Sequence, residues 1–176
     1  GIFEPNAKPA FTNNYKVPDD FSFGELPEDF DHFEPYLMNA MKRIPSLEST
    51  GIRKFFNGPE SFTPDTNYLL GETPEVKNLY ICGGFNSIGI VSSGGAGKVT
   101  AEWMINGEMY DDVFSLDISR FEKFHSNLNF ITERVTESLG NLYAMHWPFK
   151  QHVTSRNIKL MPYHEHLKQK GACFGQ

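Results

Sequence analysis

Leu79 to Gly107 reads LYICGGFNSIGIVSSGGAGKVTAEWMING. Its opening, Leu79 to Cys82, is a continuous apolar run after the turn chemistry of Pro74 to Asn78, and predicts a strand buried on both faces in the middle of a sheet. Six of the chain's 15 glycines then fall between Gly83 and Gly97. From about Gly94 to Asn106 the pattern is helical, with Gly107 placed to cap it. The order is therefore strand, glycine-rich loop, helix. Glycines let a backbone approach a ligand closely, and the first turn of a helix offers unpaired N–H groups at a positive dipole end. An anion or an electron-rich oxygen fits such a loop, whereas the same glycines also serve tight packing of helix on strand. Both readings stay open at this level.

Outward from that unit, Asp31 is placed to cap a helix with Glu34 three positions on. Phe33, Tyr36, Leu37, Ala40 and Ile44 recur at helical spacing until Pro45 closes it. Ile52 to Asn57 and Tyr68 to Leu70 are predicted short strands around the turn-rich GPESFTPDTN, which implies a hairpin-like crossing. Lys8 to Pro27 reads as short strands and turns. Beyond the glycine loop, Asp111 to Ile118 is predicted to be an edge strand or an extended link. Leu128, Ile131, Val135, Leu139 and Leu142 form a helical stripe, and a short helix is expected from Pro162 to Lys170. The class is α+β.

The 176 residues are about one domain's worth of chain. With 39% hydrophobic and 22% charged residues the chain is too apolar for disorder and too interrupted for a membrane span. A net charge of -6 leaves no basic footprint for nucleic acid. Cys82 and Cys173 lie far apart in apolar settings, as expected of buried reduced thiols in a reducing compartment. Gly1 to Thr12, GIFEPNAKPAFT, opens without Met, and we read the chain as entered part-way.

Known chemical motifs are mostly excluded by spacing. A phosphate-binding P-loop needs Gly five places before the Gly97–Lys98 pair and Ser or Thr after it, and Ser92 and Val99 stand there. The dinucleotide fingerprint is absent too, since Gly84 and Gly89 have four residues between them. His164, Glu165 and His166 fail the zinc-protease spacing, with Lys168 where the second His belongs. His32, His125, His146 and His152 have no ligand spacing with the cysteines, so no metal site is assigned. Glu60 and Asp65 flank a Pro-rich turn, where carboxylates cap their own backbone; no catalytic residue is named.

The run NGPESFTPDTNYLLGE followed by NLYICGGFNSIGIVSSGGAGKVTAEWMINGE resembles the FAD-dependent amine oxidoreductases of the dimethylglycine and sarcosine dehydrogenase type. The resemblance extends through GIFEPNAKP and DFDHFEPYLMNAMKRIPSLESTGIRKF on one side, and through DISRF and TSRNIKLMPYHEHLKQKGACFG on the other. It implies a partial substrate lobe of a two-lobed FAD oxidoreductase, with short, mostly antiparallel strands and packed helices. Residues 1–120 would be the C-terminal part of the oxidoreductase domain. Residues 121–176 would be a helical linker towards an aminomethyltransferase-like domain that uses tetrahydrofolate.

By the same resemblance Ser87, Ile88, Gly89, Ile90 and Val91 would pass the flavin ring, with the following helix aimed at the edge where negative charge gathers on reduction. Two departures go with it. Val91 stands where related monomeric oxidases have a lysine for the substrate carboxylate, and no cysteine for flavin attachment is found near Gly58. The implied function is oxidative demethylation of dimethylglycine, sarcosine or a related N-methylated amine. FAD would be the cofactor of the whole protein and would not be retained by this chain alone. Localisation would be cytoplasmic, or the mitochondrial matrix in a eukaryote, and apolar surface left by an incomplete lobe would favour self-association. The competing reading is a non-catalytic binding module that reuses this piece of fold without cofactor.

Overall fold

The computed structural model describes residues 4, 7–13, 15–109, 112–145 and 150–175, and divides into two compact units, Pro9–Glu60 and Gly1–Lys8 with Ser61–Gln176. The smaller unit is built on helix α1, Phe30–Arg43. Its cap is Asp29, whose carboxylate accepts the His32 N–H at 3.1 Å, rather than the expected Asp31. Asp31 instead sits in the first turn and Lys42 and Arg43 in the last, each favourable to the helix dipole. The helix closes at Ile44 because Pro45 disfavours the helical conformation of the residue before it. No side chain of α1 is fully buried. One face meets a ring cluster in which Phe33 and Phe55 lie 5.2 Å apart and Phe30 and Phe55 6.2 Å apart. The strand expected at Ile52 to Asn57 reduces to one antiparallel bridge, Leu26 with Asn57.

The larger unit centres on an antiparallel pair, β1 (Leu69–Glu72) and β2 (Tyr80–Gly83), in register Leu70 with Cys82 and Gly71 with Ile81. The turn between them is closed by Thr73 N–H to the Leu79 carbonyl (2.9 Å) and by the Glu72 carboxylate accepting the Asn78 N–H (2.6 Å). So the hairpin is β1 with β2, not a crossing between Ile52–Asn57 and Tyr68–Leu70. β1, not β2, is the inner strand. On its other side Leu70 bridges Asp117 in parallel, and Leu70 is only 1% exposed. Among the described residues nothing pairs with the free edge of β2, so Tyr80 and Ile81 are half-buried and Cys82 is exposed. The expectation of a central strand at Leu79 to Cys82 is thus corrected: an apolar run records a preference for burial without naming the neighbour. Cys173 is exposed as well, so neither thiol is the buried one expected. The expected Asp111–Ile118 element is an extended link whose pairing is the Asp117 bridge; Asp111 itself lies outside the described residues.

Helix α2 spans Gly89–Asn106 and packs on both strands. It starts five residues before the predicted Gly94, so 89–93 belong to the helix and not to a loop. Gly107, at φ +77°, ends it by donating its N–H to the Trp103 carbonyl at 2.9 Å. Ala96 and Thr100 are its buried residues.

Helix α3, Leu128–Asn141, begins where the Asn127 side chain accepts the N–H groups of Asn129 and Phe130. Its buried seam is rotated from the predicted stripe. Phe130, Arg134, Ser138 and Leu139 are buried, while Ile131, Val135 and Leu142 are half-buried and Leu128 is exposed. A short α4, His164–Gln169, closes the chain within the predicted 162–170.

Candidate functional site

Two turns meet beside the start of α2. The first is Thr63–Asn67, a Thr-Pro-Asp turn in which the Asp65 carboxylate accepts the Thr63 hydroxyl (3.1 Å) and the Asn67 N–H (3.2 Å). The second is Gly84–Ile88, joining β2 to α2. Asn86, wholly buried, ties them together. Its Oδ1 accepts the Thr63 N–H at 2.8 Å, its Nδ2 donates to the Gly84 carbonyl at 2.7 Å, and its own N–H donates to the Ser61 carbonyl at 3.2 Å. Asn86 and Ser87 both take the left-handed conformation, at φ 49° and 68°. Asn tolerates it because its short amide bonds locally.

The five residues predicted from sequence fall at one place. Ser87 closes the turn, Ile88 is the N-cap residue, and Gly89, Ile90 and Val91 form the first turn of an 18-residue helix. The N-cap residue Ile88 makes no side-chain capping bond, and no acidic residue lies in the first turn. Such an end presents backbone N–H groups and a partial positive charge. Ile90 is 98% exposed and Val91 83% exposed, so the end is rimmed by bare aliphatic side chains. Gly89 carries no left-handed backbone requirement; a Cβ there would meet the Cβ of Phe85 at 3.3 Å.

Three more residues, none singled out by sequence patterning, hold the first turn from behind. The Arg120 guanidinium forks onto Asp65, Nε to Oδ2 at 2.7 Å and Nη2 to Oδ1 at 3.1 Å, and also donates to the carbonyls of Asn67, Leu116 and Asp117. Ser138 donates its hydroxyl to the Pro64 carbonyl at 2.6 Å and lies 3.2 Å from His152 Nε2. Because that hydroxyl proton is already directed at Pro64, the imidazole Nε2 must carry the donor. Around them Glu137 accepts the N–H groups of Val153 and Thr154, and Arg134 donates to the Thr154 carbonyl at 2.8 Å. Asp65 was visible as a turn carboxylate. Arg120, Ser138 and His152 contact it or its neighbours only through contacts distant in sequence, so no local pattern marks them. Among the described residues no cluster of three or more His, Cys, Asp or Glu is arranged for a metal, and His164 stacks on Phe174 at 4.4 Å instead.

Burial, aided by the Arg134 charge, lowers the His152 imidazole below its ordinary 6.5, with Glu137 opposing. Burial pushes the Glu137 carboxyl up, but hydrogen bonds from Thr154 and Val153 outweigh it and leave the group below 4.5. A histidine held below its unfolded value binds fewer protons when folded. Stability therefore rises with pH up to 6.5 and is lost as pH falls from 6.5 through the lowered folded value. The Glu137 contribution is lost only further down, below 4.5. The thermal midpoint should fall on acidification below pH 6.5, and His152→Gln should flatten that slope. An unchanged slope in the variant would remove His152 as its cause.

A model of the FAD dependent oxidoreductase family matches residues 9–103, and a model of the FAD dependent oxidoreductase central domain matches residues 106–160. The chain is 43% identical over 176 residues to 4-methylaminobutanoate oxidase (formaldehyde-forming) of Paenarthrobacter nicotinovorans, covering 100% of this chain and 21% of that protein. It is 38% identical over 172 residues to the mitochondrial pyruvate dehydrogenase phosphatase regulatory subunit of Mus musculus, covering 98% of this chain and 19% of that protein. It is also 38% identical over 169 residues to mitochondrial sarcosine dehydrogenase of Mus musculus, covering 96% and 18%. The chain thus spans about a fifth of the length of the curated relatives it matches.

Proposed function

Because this chain belongs to the FAD-dependent oxidoreductase family, we propose that it forms part of a flavoenzyme that oxidises N-methylated amines, with Ser87–Val91 at the edge of the flavin ring. The observation that carries the reading is the start of α2: a helix end opened by Ile88, without acidic residues in its first turn, rimmed by exposed Ile90 and Val91 and fixed from behind by Asn86. These features fit the ring edge of a flavin, which is flat, largely apolar and electron-rich at its carbonyls. The dinucleotide fingerprint that would hold the ADP moiety is missing from the sequence.

FAD, when bound, supplies a two-electron acceptor for a C–H bond next to an amine nitrogen. In this reading the chain's own part is to point the N–H groups of Gly89, Ile90 and Val91 at developing negative charge and to keep water from it with the Ile90 and Val91 side chains. Val91 offers no cation for a substrate carboxylate, so that group is bound elsewhere in the protein. The substrate is a small N-methylated amino acid such as sarcosine, dimethylglycine or 4-methylaminobutanoate. Once two electrons have passed from the methyl C–H bond to the flavin, water hydrolyses the resulting C=N bond to formaldehyde and the demethylated amine, or the carbon passes to tetrahydrofolate where an aminomethyltransferase-like domain follows residues 121–176. No helix among the described residues is long and apolar enough to cross a membrane. The mitochondrial relatives support a matrix location in a eukaryote, with the cytoplasm the counterpart in a bacterium. Exposed Ile90, Val91 and Ile105 support burial against the rest of the protein, or self-association when that is absent.

The relative named as a regulatory subunit favours a second reading, a binding module in which the fold persists without redox chemistry. Anaerobic mixing of the full-length flavoprotein with each of the three amines separates the two. Bleaching of the flavin band by at least one amine is expected. A full-length protein that binds no flavin, or whose flavin none of them reduces, would support the regulatory reading.

A further inference from the structure

We propose that Arg120 is a positioning residue for the turn that opens α2, carrying the placement of the 106–160 segment to Ser87–Val91. The contacts run without a gap. The guanidinium holds Asp65 through both carboxylate oxygens and Asn67 through its carbonyl. The Thr63 hydroxyl sits between two acceptors that Arg120 holds, the Asn67 carbonyl at 2.8 Å and Asp65 Oδ1 at 3.1 Å, Thr63 donates its N–H to Asn86, and Asn86 fixes the Gly84 carbonyl one turn before Gly89. Arg120 is anchored on its own side by the Leu116 and Asp117 carbonyls, and Leu116 accepts the Leu70 N–H from β1 at 2.8 Å. Its side chain is 15% exposed, so water does not readily replace these partners. Five contacts need the five donors of the guanidinium fork; an ammonium carries the charge but cannot reach Asp65 and three carbonyls together. A residue that only stabilised its own segment through the Leu116 and Asp117 carbonyls would not need Asp65 and Asn67 as further partners.

The flavin side of this inference rests on the reading of Ser87–Val91 given above. The test compares the full-length flavoprotein with its Arg120→Lys variant by hydrogen exchange of the amides in 84–91 and by the flavin absorbance spectrum. The expected result is exchange about tenfold faster across 84–91, together with a shifted flavin spectrum at unchanged flavin content. Faster exchange confined to 63–67 and 116–121, with 84–91 and the spectrum as in the parent, would overturn the proposal. Faster exchange in 84–91 with an unmoved spectrum would uphold the positioning role and overturn the flavin-edge reading instead. Should Arg120→Lys not accumulate as folded flavoprotein, Asp65→Asn, which keeps the shape of the turn and weakens the same contact, is read by the same two measurements.

Discussion

Asn86→Ala is expected to lower the unfolding free energy by about 3–7 kcal/mol. Asn86 is wholly buried and its amide serves both turns, so truncation leaves the Thr63 N–H and the Gly84 carbonyl unpaired. Each such group costs roughly 1–3 kcal/mol. The left-handed backbone at φ 49° adds a further penalty of about 1 kcal/mol for a side chain that cannot bond locally. Chemical unfolding of parent and variant measures the sum. A loss under about 1 kcal/mol would mean that water takes over both contacts and that the two turns are not coupled through Asn86.

Gly71→Val should be comparably damaging for a different reason. Gly71 lies in β1 at φ +105°, and a Cβ there would stand 2.4 Å from two ring atoms of Trp103 on α2. Backbone strain of this kind costs about 1–3 kcal/mol and overpacking about as much again, so a total of roughly 3–5 kcal/mol is expected. A second substitution divides the two parts. Trp103→Leu in the Gly71→Val background should recover the packing part and leave the backbone part, whereas no recovery would show that the ring yields freely and that the strand conformation alone carries the cost. Unfolding midpoints of the two single variants and the double variant close the cycle.

The sequence showed the elements more clearly than their partners. α1, α3 and α4 were legible because periodic apolar residues and cap chemistry are local signals, and a glycine-rich stretch marked the junction of strand and helix, whereas the choice of Ser87–Val91 within it came from the family resemblance. What escaped was set by distant contacts. The edge position of β2 depends on which strand pairs with Leu70, and a run such as Leu79–Cys82 does not encode that. Likewise, the early start of α2 shows glycines at 94, 95 and 97 accommodated inside a helix, where their weak propensity is overridden by tertiary packing. α3 buries Arg134 and Ser138 in place of part of its apolar stripe because segments 63–67 and 150–155 offer them polar partners. Arg120 and Asp65 are 55 residues apart, and only the folded chain brings them together.

The claim that the start of α2 faces the flavin edge is tested most directly by Ile90→Asp in the full-length flavoprotein, read as flavin midpoint potential beside thermal midpoint. Ile90 is 98% exposed in this chain, so the fold itself loses almost no packing. A carboxylate in the first turn of a helix is favourable to the dipole by about 0.3–1 kcal/mol, which offsets part of the apolar contact that Ile90 gives up against the rest of the protein. At a flavin edge the same charge opposes the negative charge of the reduced ring. A potential lower by about 30 mV, roughly 1.4 kcal/mol for a two-electron couple, is expected in the folded, flavin-loaded variant. A variant with the parent's potential and spectrum would contradict it.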